Sequence, residues 1–189
     1  MRPLDILVDL DDTVWYLLKA WVQRLNARHG TSVSVDDIYD WDVTIAFPGL
    51  TREQVFAPLN EDDFWDTVEP MDGAAEVLEW AINEGHRVHI VTASLYSTLK
   101  SKMENALFRH FPFISWNQVI ITSHKQMIRG DMLIDDAPHN LENGQYVKVL
   151  VTAPHNRGYD AQRNHMIRVN NWSEIKECII KLSMLGGTN

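Results

Sequence analysis

The octapeptide Leu-Val-Asp-Leu-Asp-Asp-Thr-Val at residues 7–14 constrains this 189-residue chain more than any other feature. A short apolar run ends abruptly in acids, the pattern of a buried strand that carries carboxylates to the edge of a sheet. The run Met132, Leu133, Ile134 ends the same way, in Asp135 and Asp136. Asp9, Asp11 and Asp12 repel one another, and the second acidic pair adds to the cost if the two strands lie side by side. A divalent cation relieves that repulsion. Oxygen-only ligands favour Mg²⁺, which takes one or two carboxylates together with waters and phosphate oxygens. Metal-assisted chemistry on a phosphate is the first expectation.

The length allows one sizeable core and a small inserted subdomain. A formal charge of −9 argues against a nucleic-acid polymer as partner, because tracking a phosphate backbone needs a basic face. A small anionic substrate needs only local cations. The single cysteine, Cys178, excludes an internal disulfide, suggests a reducing compartment, and reads as a small apolar residue on the last helix. The first residues carry no signal-like apolar region and no run approaches the ~20 residues of a membrane span, so the expectation is a soluble cytoplasmic protein without a membrane partner. A homodimer is left open.

After a first strand near residues 5–9, apolar residues at Val14, Leu17, Leu18, Trp21, Val22 and Leu25 recur at helical spacing, with Gly30 as a C-terminal stop. Residues 31–70 break into short helical pieces at Ser34, Pro48-Gly49, Thr51 and Pro58, and Thr51 with Gln54 fits a capping box. This part is crowded with rings, including Tyr39, Trp41, Phe47, Phe56, Phe64 and Trp65. It reads as a small helical insertion over the sheet edge. From Asp72 onward, helices and strands alternate. Strands are expected at 87–92, 119–122, 132–135, 146–151 and 167–169. Helices are expected at 72–85, 94–111 and 138–143, with a last one capped by Ser173 and ending near Gly186. The expected fold class is therefore α/β, a mostly parallel sheet with helices on both faces. Residues 1–14 and 71–189 form the core domain of this reading, and 15–70 the small helical insertion.

Ligands of open α/β sheets sit at the carboxyl ends of the strands. The residues there are Asp9 with Asp11, Thr92, Asp135 with Asp136, and Lys125 shortly after Thr122. Each has a bland use: Asp11, Asp12, Thr13 or Thr92 as a helix cap, Lys125 as a solvated charge, the acidic pair as a turn. Their joint appearance at successive strand ends is harder to explain that way. His124, His139 and His155 show no metal-ligand spacing and read as surface or turn residues.

This ordered set resembles the haloacid dehalogenase-like phosphatases: Asp-x-Asp-x-Thr after the first strand, a Thr or Ser after a later one, a Lys, then an acidic pair. The likeness narrows toward the 5′(3′)-deoxyribonucleotidases at residues 125–136, at 64–73, and at His155-Asn-Arg157 before Trp172. It implies a Rossmann-like core with a small cap, residues 15–70, between the first and second motifs. It also implies a substrate, a (deoxy)ribonucleoside monophosphate. Mg²⁺ would be held by Asp9, Asp135 and the Asp11 main-chain carbonyl, with Asp9 attacking phosphorus to form an aspartyl-phosphate. Asp11 would protonate the leaving oxygen and later deprotonate water. Lys125 and Thr92 would hold phosphate oxygens, and Asp136 would orient a metal-bound water or Lys125. Phe64 or Trp65 would stack on the base, with Leu17 and Trp15 as weaker candidates. Three positions depart from the pattern. Ala93 follows Thr92 where a Ser is usual, so its main-chain N–H must serve the phosphate; Asp12 stands where many relatives carry Gly; and Ala137 follows the acidic pair. The alternatives are a phosphatase for a sugar phosphate, a receiver-like domain, and a phosphate-binding protein without turnover. A receiver has the acidic pair first and needs no aromatic insertion.

Overall fold

The structure, a computed structural model, describes residues 2–185. Six strands form one sheet: β1 (Asp5–Val8), β2 (Arg87–Thr92), β3 (Val119–Ile121), β4 (Met132–Asp135), β5 (Val147–Val151) and β6 (Ile167–Val169). Their order is β3-β2-β1-β4-β5-β6, and every pairing is parallel. Successive strands step outward from β1 on one side, and the chain then returns to build the other side from β4. Such a reversal opens a crevice at the carboxyl ends, here between β1 and β4. Register sets what reaches it. Val8 pairs with Ile90 and with Ile134, and the Asp9 N–H donates to the Ile134 carbonyl at 2.9 Å, so Asp9 and Asp135 emerge side by side.

Strand alternation divides the core. Ile6, Val8, Ile90, Met132, Ile134 and Val149 face a large cluster shared with α1 (Leu17–His29), α3 (Ala74–Asn83) and α7 (Trp172–Leu185). Leu7, Val91, Leu133 and Leu150 face a smaller one, closed by Leu141 of α6 (Pro138–Leu141) and by Tyr146, Ala161 and Met166. Both faces are covered, the second, among the described residues, by α6 with short 3₁₀ turns and loops.

Local signals act largely where the sequence puts them. Gly30 ends α1 in the left-handed region, at φ 66°, with its N–H on the Asn26 carbonyl. Thr51 and Gln54 close a reciprocal capping box on α2 (Arg52–Phe56). Two expectations are corrected. The N-terminal turn of α7 is capped by Asn171, whose side chain accepts from the Glu174 N–H at 3.0 Å, and not by Ser173. The helix expected over 94–111 begins only at α4 (Leu99–Ser101) and widens to a π-helical stretch at Lys102–Leu107 before α5 (Phe108–His110). Before it, the Thr98 hydroxyl is spent on the Leu59 carbonyl, at 3.0 Å, across the molecule. The expected end of α7 at Gly186 lies outside the described residues.

The insertion leaves and rejoins the core at one place. Trp15 bridges Pro70, the Tyr16 N–H donates to the Glu69 carbonyl at 2.9 Å, and the Met71 N–H to the Val14 carbonyl at 2.8 Å. Between these points Trp21, Phe47, Val55, Phe64 and Trp65 are buried in the same cluster as the first sheet face. Among the described residues no helix is long and apolar enough to cross a membrane.

Candidate active site

A cavity of about 620 Å³ lies between the carboxyl ends of the strands and residues 38–59. Asp9, Asp11, Asp12, Ala93, Lys125 and Asp136 form its floor; Trp21, Ile38, Trp41, Val43, Phe56 and Leu59 form the opposite wall. Asp40, Asp42, Arg52, His139, Asn140 and His155 also line it. One end is thus built of acids around a lysine and the other of rings and aliphatic groups.

Lys125 is the hub of the floor. It is 2 % exposed, bonds the Asp9 carboxylate, and donates to Asp135 Oδ2 at 2.7 Å. Burial works against its ammonium, but Asp9 and Asp135 outweigh that and hold its pKa above the ordinary value. Burial pushes Asp9 up to about 7, against the pull of Lys125 and with the repulsion of Asp135 and Asp11. Burial likewise raises Asp135, Asp136 and Asp12, with Asp136 repelling Asp12 and Asp135. Asp9, Asp135 and Asp136 each bring a carboxylate oxygen within 4.8 Å of the others. An all-oxygen donor set, short of positive charge, fits a hard divalent cation.

The two acids of the pair face different ways. Alternation turns Asp135, the last residue of β4, toward the face of α6. There Ala137 N–H reaches its Oδ1 at 2.8 Å, and the Asn140 amide lies 3.1 and 3.2 Å from its two oxygens. With Lys125 added, both oxygens are occupied and the residue does not line the cavity. Asp136 does. Its Oδ2 lies 3.1 Å from His155 Nε2 and its Oδ1 3.5 Å from the Thr13 hydroxyl.

The Asp11 carboxylate lines the cavity and accepts from Trp15 Nε1 at 3.0 Å and from Lys102 Nζ at 2.6 Å. Thr92 is fully buried, its hydroxyl turned to the Ala93 carbonyl and Lys102, so Ala93 rather than Thr92 faces the cavity. Asp12 sits at φ 52°, where Gly would be free of strain, and accepts the Leu18 N–H at 3.0 and 3.2 Å. It caps the first helix.

Phe64 and Trp65 do not reach the cavity. They lie on a 3₁₀ turn, Asp62–Thr67, whose exposed acids face solvent and whose rings turn inward, edge to face at 5.3 Å. Of the weaker candidates, Leu17 lines the cavity and Trp15 is buried behind Asp11. The aromatic wall is instead Trp21, Trp41 and Phe56. His139 is exposed and His155 lies on a 3₁₀ turn, as expected, and both also line the cavity, edge-on to Trp41 at centroid distances of 4.8 and 5.1 Å. His124 is exposed. Lys102 and Asn140 were missed. Asn140 leaves no mark in the sequence, but Lys102 falls on the stripe of Leu99, Met103 and Ala106, where a charge signals a buried partner.

Residues 2–185 match the protein family described as 5′ nucleotidase, deoxy (Pyrimidine), cytosolic type C protein. A Bacillus subtilis protein named 5′(3′)-deoxyribonucleotidase is 32% identical over 177 residues, covering 93% of this chain and 98% of its own. One of the same name from Clostridium acetobutylicum is 31% identical over 169 residues, covering 89% and 91%. Among solved structures, a HAD family hydrolase from Deinococcus radiodurans, with bound phosphate and sodium, aligns at TM-score 0.64 and 17% identity, covering 95% of this chain and 96% of its own. A haloacid dehalogenase-like family protein from Streptococcus pneumoniae aligns at TM-score 0.65 and 14% identity, covering 94% and 98%. These last two are likenesses of fold.

Proposed function

This chain belongs to the family of 5′ nucleotidases described as deoxy (Pyrimidine), cytosolic type C, and from that premise we propose that it removes the phosphate from (deoxy)ribonucleoside monophosphates. Family membership makes it a phosphomonoester hydrolase. The observation that carries the finer reading is the two-ended cavity, with Asp9, Asp11, Lys125 and Asp136 facing Trp41 and Phe56 across about 620 Å³. The printed name of the relatives, 5′(3′)-deoxyribonucleotidase, supports a deoxynucleotide as the preferred substrate.

The ammonium of Lys125 neutralises part of the charge of a phosphate dianion, which otherwise repels the carboxylates around it. Asp9 attacks phosphorus in line, the bond from phosphorus to the ribose oxygen breaks, and an aspartyl-phosphate forms. Asp11 gives that oxygen its proton and then takes one from the water that frees Asp9 and releases phosphate. The Ala93 main-chain N–H holds an equatorial oxygen. Asp9, Asp136 and the Asp11 carbonyl are the groups that would hold Mg²⁺, with Asp135 kept for fixing Lys125. The orientation of Asp136 toward the cavity, and the saturation of both Asp135 oxygens, favour that division. When bound, Mg²⁺ supplies electrostatic stabilisation of the charge that builds up on the phosphoryl oxygens. Residues 15–70 act as the cap, excluding water and presenting Trp41 and Phe56 to the leaving group.

Phosphate release from a panel of deoxy- and ribonucleoside monophosphates and sugar phosphates, with and without Mg²⁺, tests this reading. Turnover of nucleotides only with Mg²⁺ is expected, and Asp9→Asn should fold normally yet lose more than about 1,000-fold in turnover. Hydrolysis of sugar phosphates alone would overturn the nucleotide assignment, and an active Asp9→Asn variant would remove Asp9 from its role.

A further inference from the structure

Lys102 is a buried cation whose shortest contact, and its one ion pair among the described residues, is with the acid that protonates the leaving group. It is 2 % exposed, and a buried ammonium is costly unless paired. Its Nζ donates to Asp11 Oδ2 at 2.6 Å, and lies 3.3 Å from the Thr92 hydroxyl and 3.5 Å from the Ala93 carbonyl. The rings of Trp65 and Trp15 stand 5.1 and 5.8 Å from Nζ. Lys102 does not line the cavity; of the groups that do, it bonds the Asp11 carboxylate at 2.6 Å and otherwise meets only the Ala93 carbonyl, at the longer distance of 3.5 Å, and not the Ala93 N–H assigned to the phosphate. Trp15 Nε1 takes the other Asp11 oxygen at 3.0 Å. Two donors from behind fix both oxygens and therefore the plane of the carboxyl group. The π-helical stretch that opens at Lys102 is a further mark, because such widened turns gather at functional sites.

We propose that Lys102, seconded by Trp15, is a positioning residue that holds Asp11 in the orientation needed to protonate the leaving oxygen. The proposal rests on the phosphatase reading above and goes beyond it by separating Lys102 from the phosphate. A residue acting through the general acid matters in proportion to the leaving group's need for a proton. A residue acting on the phosphoryl group, or on the fold, does not.

The test compares kcat/KM for a poor leaving group, thymidine 5′-monophosphate, with that for p-nitrophenyl phosphate, whose nitrophenolate departs without a proton. Because kcat/KM ends at the first irreversible step, the later hydrolysis of phosphorylated Asp9 does not enter. Lys102→Met keeps the bulk and removes the donor; it should cost about 100-fold on the nucleotide and under about threefold on the aryl ester. Trp15→Phe should move the same way, by about tenfold. Equal losses on both substrates, or none on the nucleotide, would overturn the proposal. Lys102→Gln carries the comparison if the Met variant shows no cooperative melt. If the wild type cleaves glucose 6-phosphate but no nucleotide, the nucleotide reading has failed, and that alkyl ester serves the same comparison.

Discussion

Magnesium affinity should climb across a pH range in which carboxylates are ordinarily silent. Burial raises Asp9 from 3.8 to about 7 and raises Asp136 as well, so near pH 5 the metal-free site holds a proton that an arriving ion must displace. A carboxyl at its ordinary value would already have lost it. While one proton leaves per ion bound, affinity rises tenfold per pH unit, and the rise flattens as pH reaches the Asp9 value of about 7, so between pH 5 and 7 the gain is about fiftyfold, or about 2.3 kcal/mol. Stability follows the same linkage. Asp9 is raised on folding, so its contribution is full below 3.8 and lost as pH rises through about 7, a loss of up to roughly 4 kcal/mol in the chelated protein. His86 and His139, lowered by burial, act the other way, favouring the folded state as pH rises through 6.5. They are common to both conditions, so the difference with and without Mg²⁺ isolates the carboxyls. Titration calorimetry at pH 5, 6, 7 and 8, in two buffers of different ionisation enthalpy, counts the protons; melts with Mg²⁺ or chelator give the stability. An affinity flat from pH 5 to 7 with no proton release would refute the reasoning.

The acidic pair gives a second check: at pH 7.5 Asp136→Asn should weaken Mg²⁺ binding more than about 100-fold, whereas Asp135→Asn should weaken it about tenfold and chiefly destabilise, because Lys125 loses a buried partner worth about 3–5 kcal/mol. Calorimetry and thermal melts separate the two. On the cap side, Trp41→Ala or Phe56→Ala should raise the nucleotide KM about tenfold without changing inhibition by inorganic phosphate, since a base stacked on a ring contributes about 1–3 kcal/mol. Phe64→Ala should instead cost about 3–5 kcal/mol of stability and leave KM nearly unchanged, as fits a fully buried ring. At the helix cap, Asp12→Ala loses an acceptor and strains a left-handed residue, about 2 kcal/mol together, whereas Asp12→Gly should cost less than half of that in denaturant melts.

What the sequence reveals here is what strand geometry makes local. Apolar runs ending in acids fix which residues leave the sheet together, so Asp9, Asp11, Lys125 and the Asp135-Asp136 pair could be named as neighbours before any coordinates. The parallel pairing of the strands follows from their alternation with helices, whereas their order does not. The division between Asp135 and Asp136 was in principle readable, since period 2 sends Asp135 to the side of Leu133. Phe64 and Trp65 were misjudged because a 3₁₀ turn has no 3.6-residue phase to show which way its rings point. The groups that stand against Asp11 and Asp136 lie beyond any local pattern. Lys102 is 91 residues from Asp11, and His155 comes to Asp136 from the far side of β5.

The paired crossings at Trp15–Pro70 and Tyr16–Glu69 bring the two ends of residues 16–69 together at one point of the sheet edge, while Leu59 and Asp36 tie the middle of the segment to Thr98 and Arg157. Because those ends are joined by a hydrogen bond of 2.9 Å, the length between them can change without moving the points of attachment, provided that Asp12 and Thr98 keep partners in place of the Leu18 N–H and the Leu59 carbonyl. New leaving groups can therefore be sampled by evolution, or by grafting, while Asp9 and Lys125 stay where they are. The toll of such a swap falls on Trp21, Phe47 and Phe64, which would need substitutes of like volume to seal the sheet below.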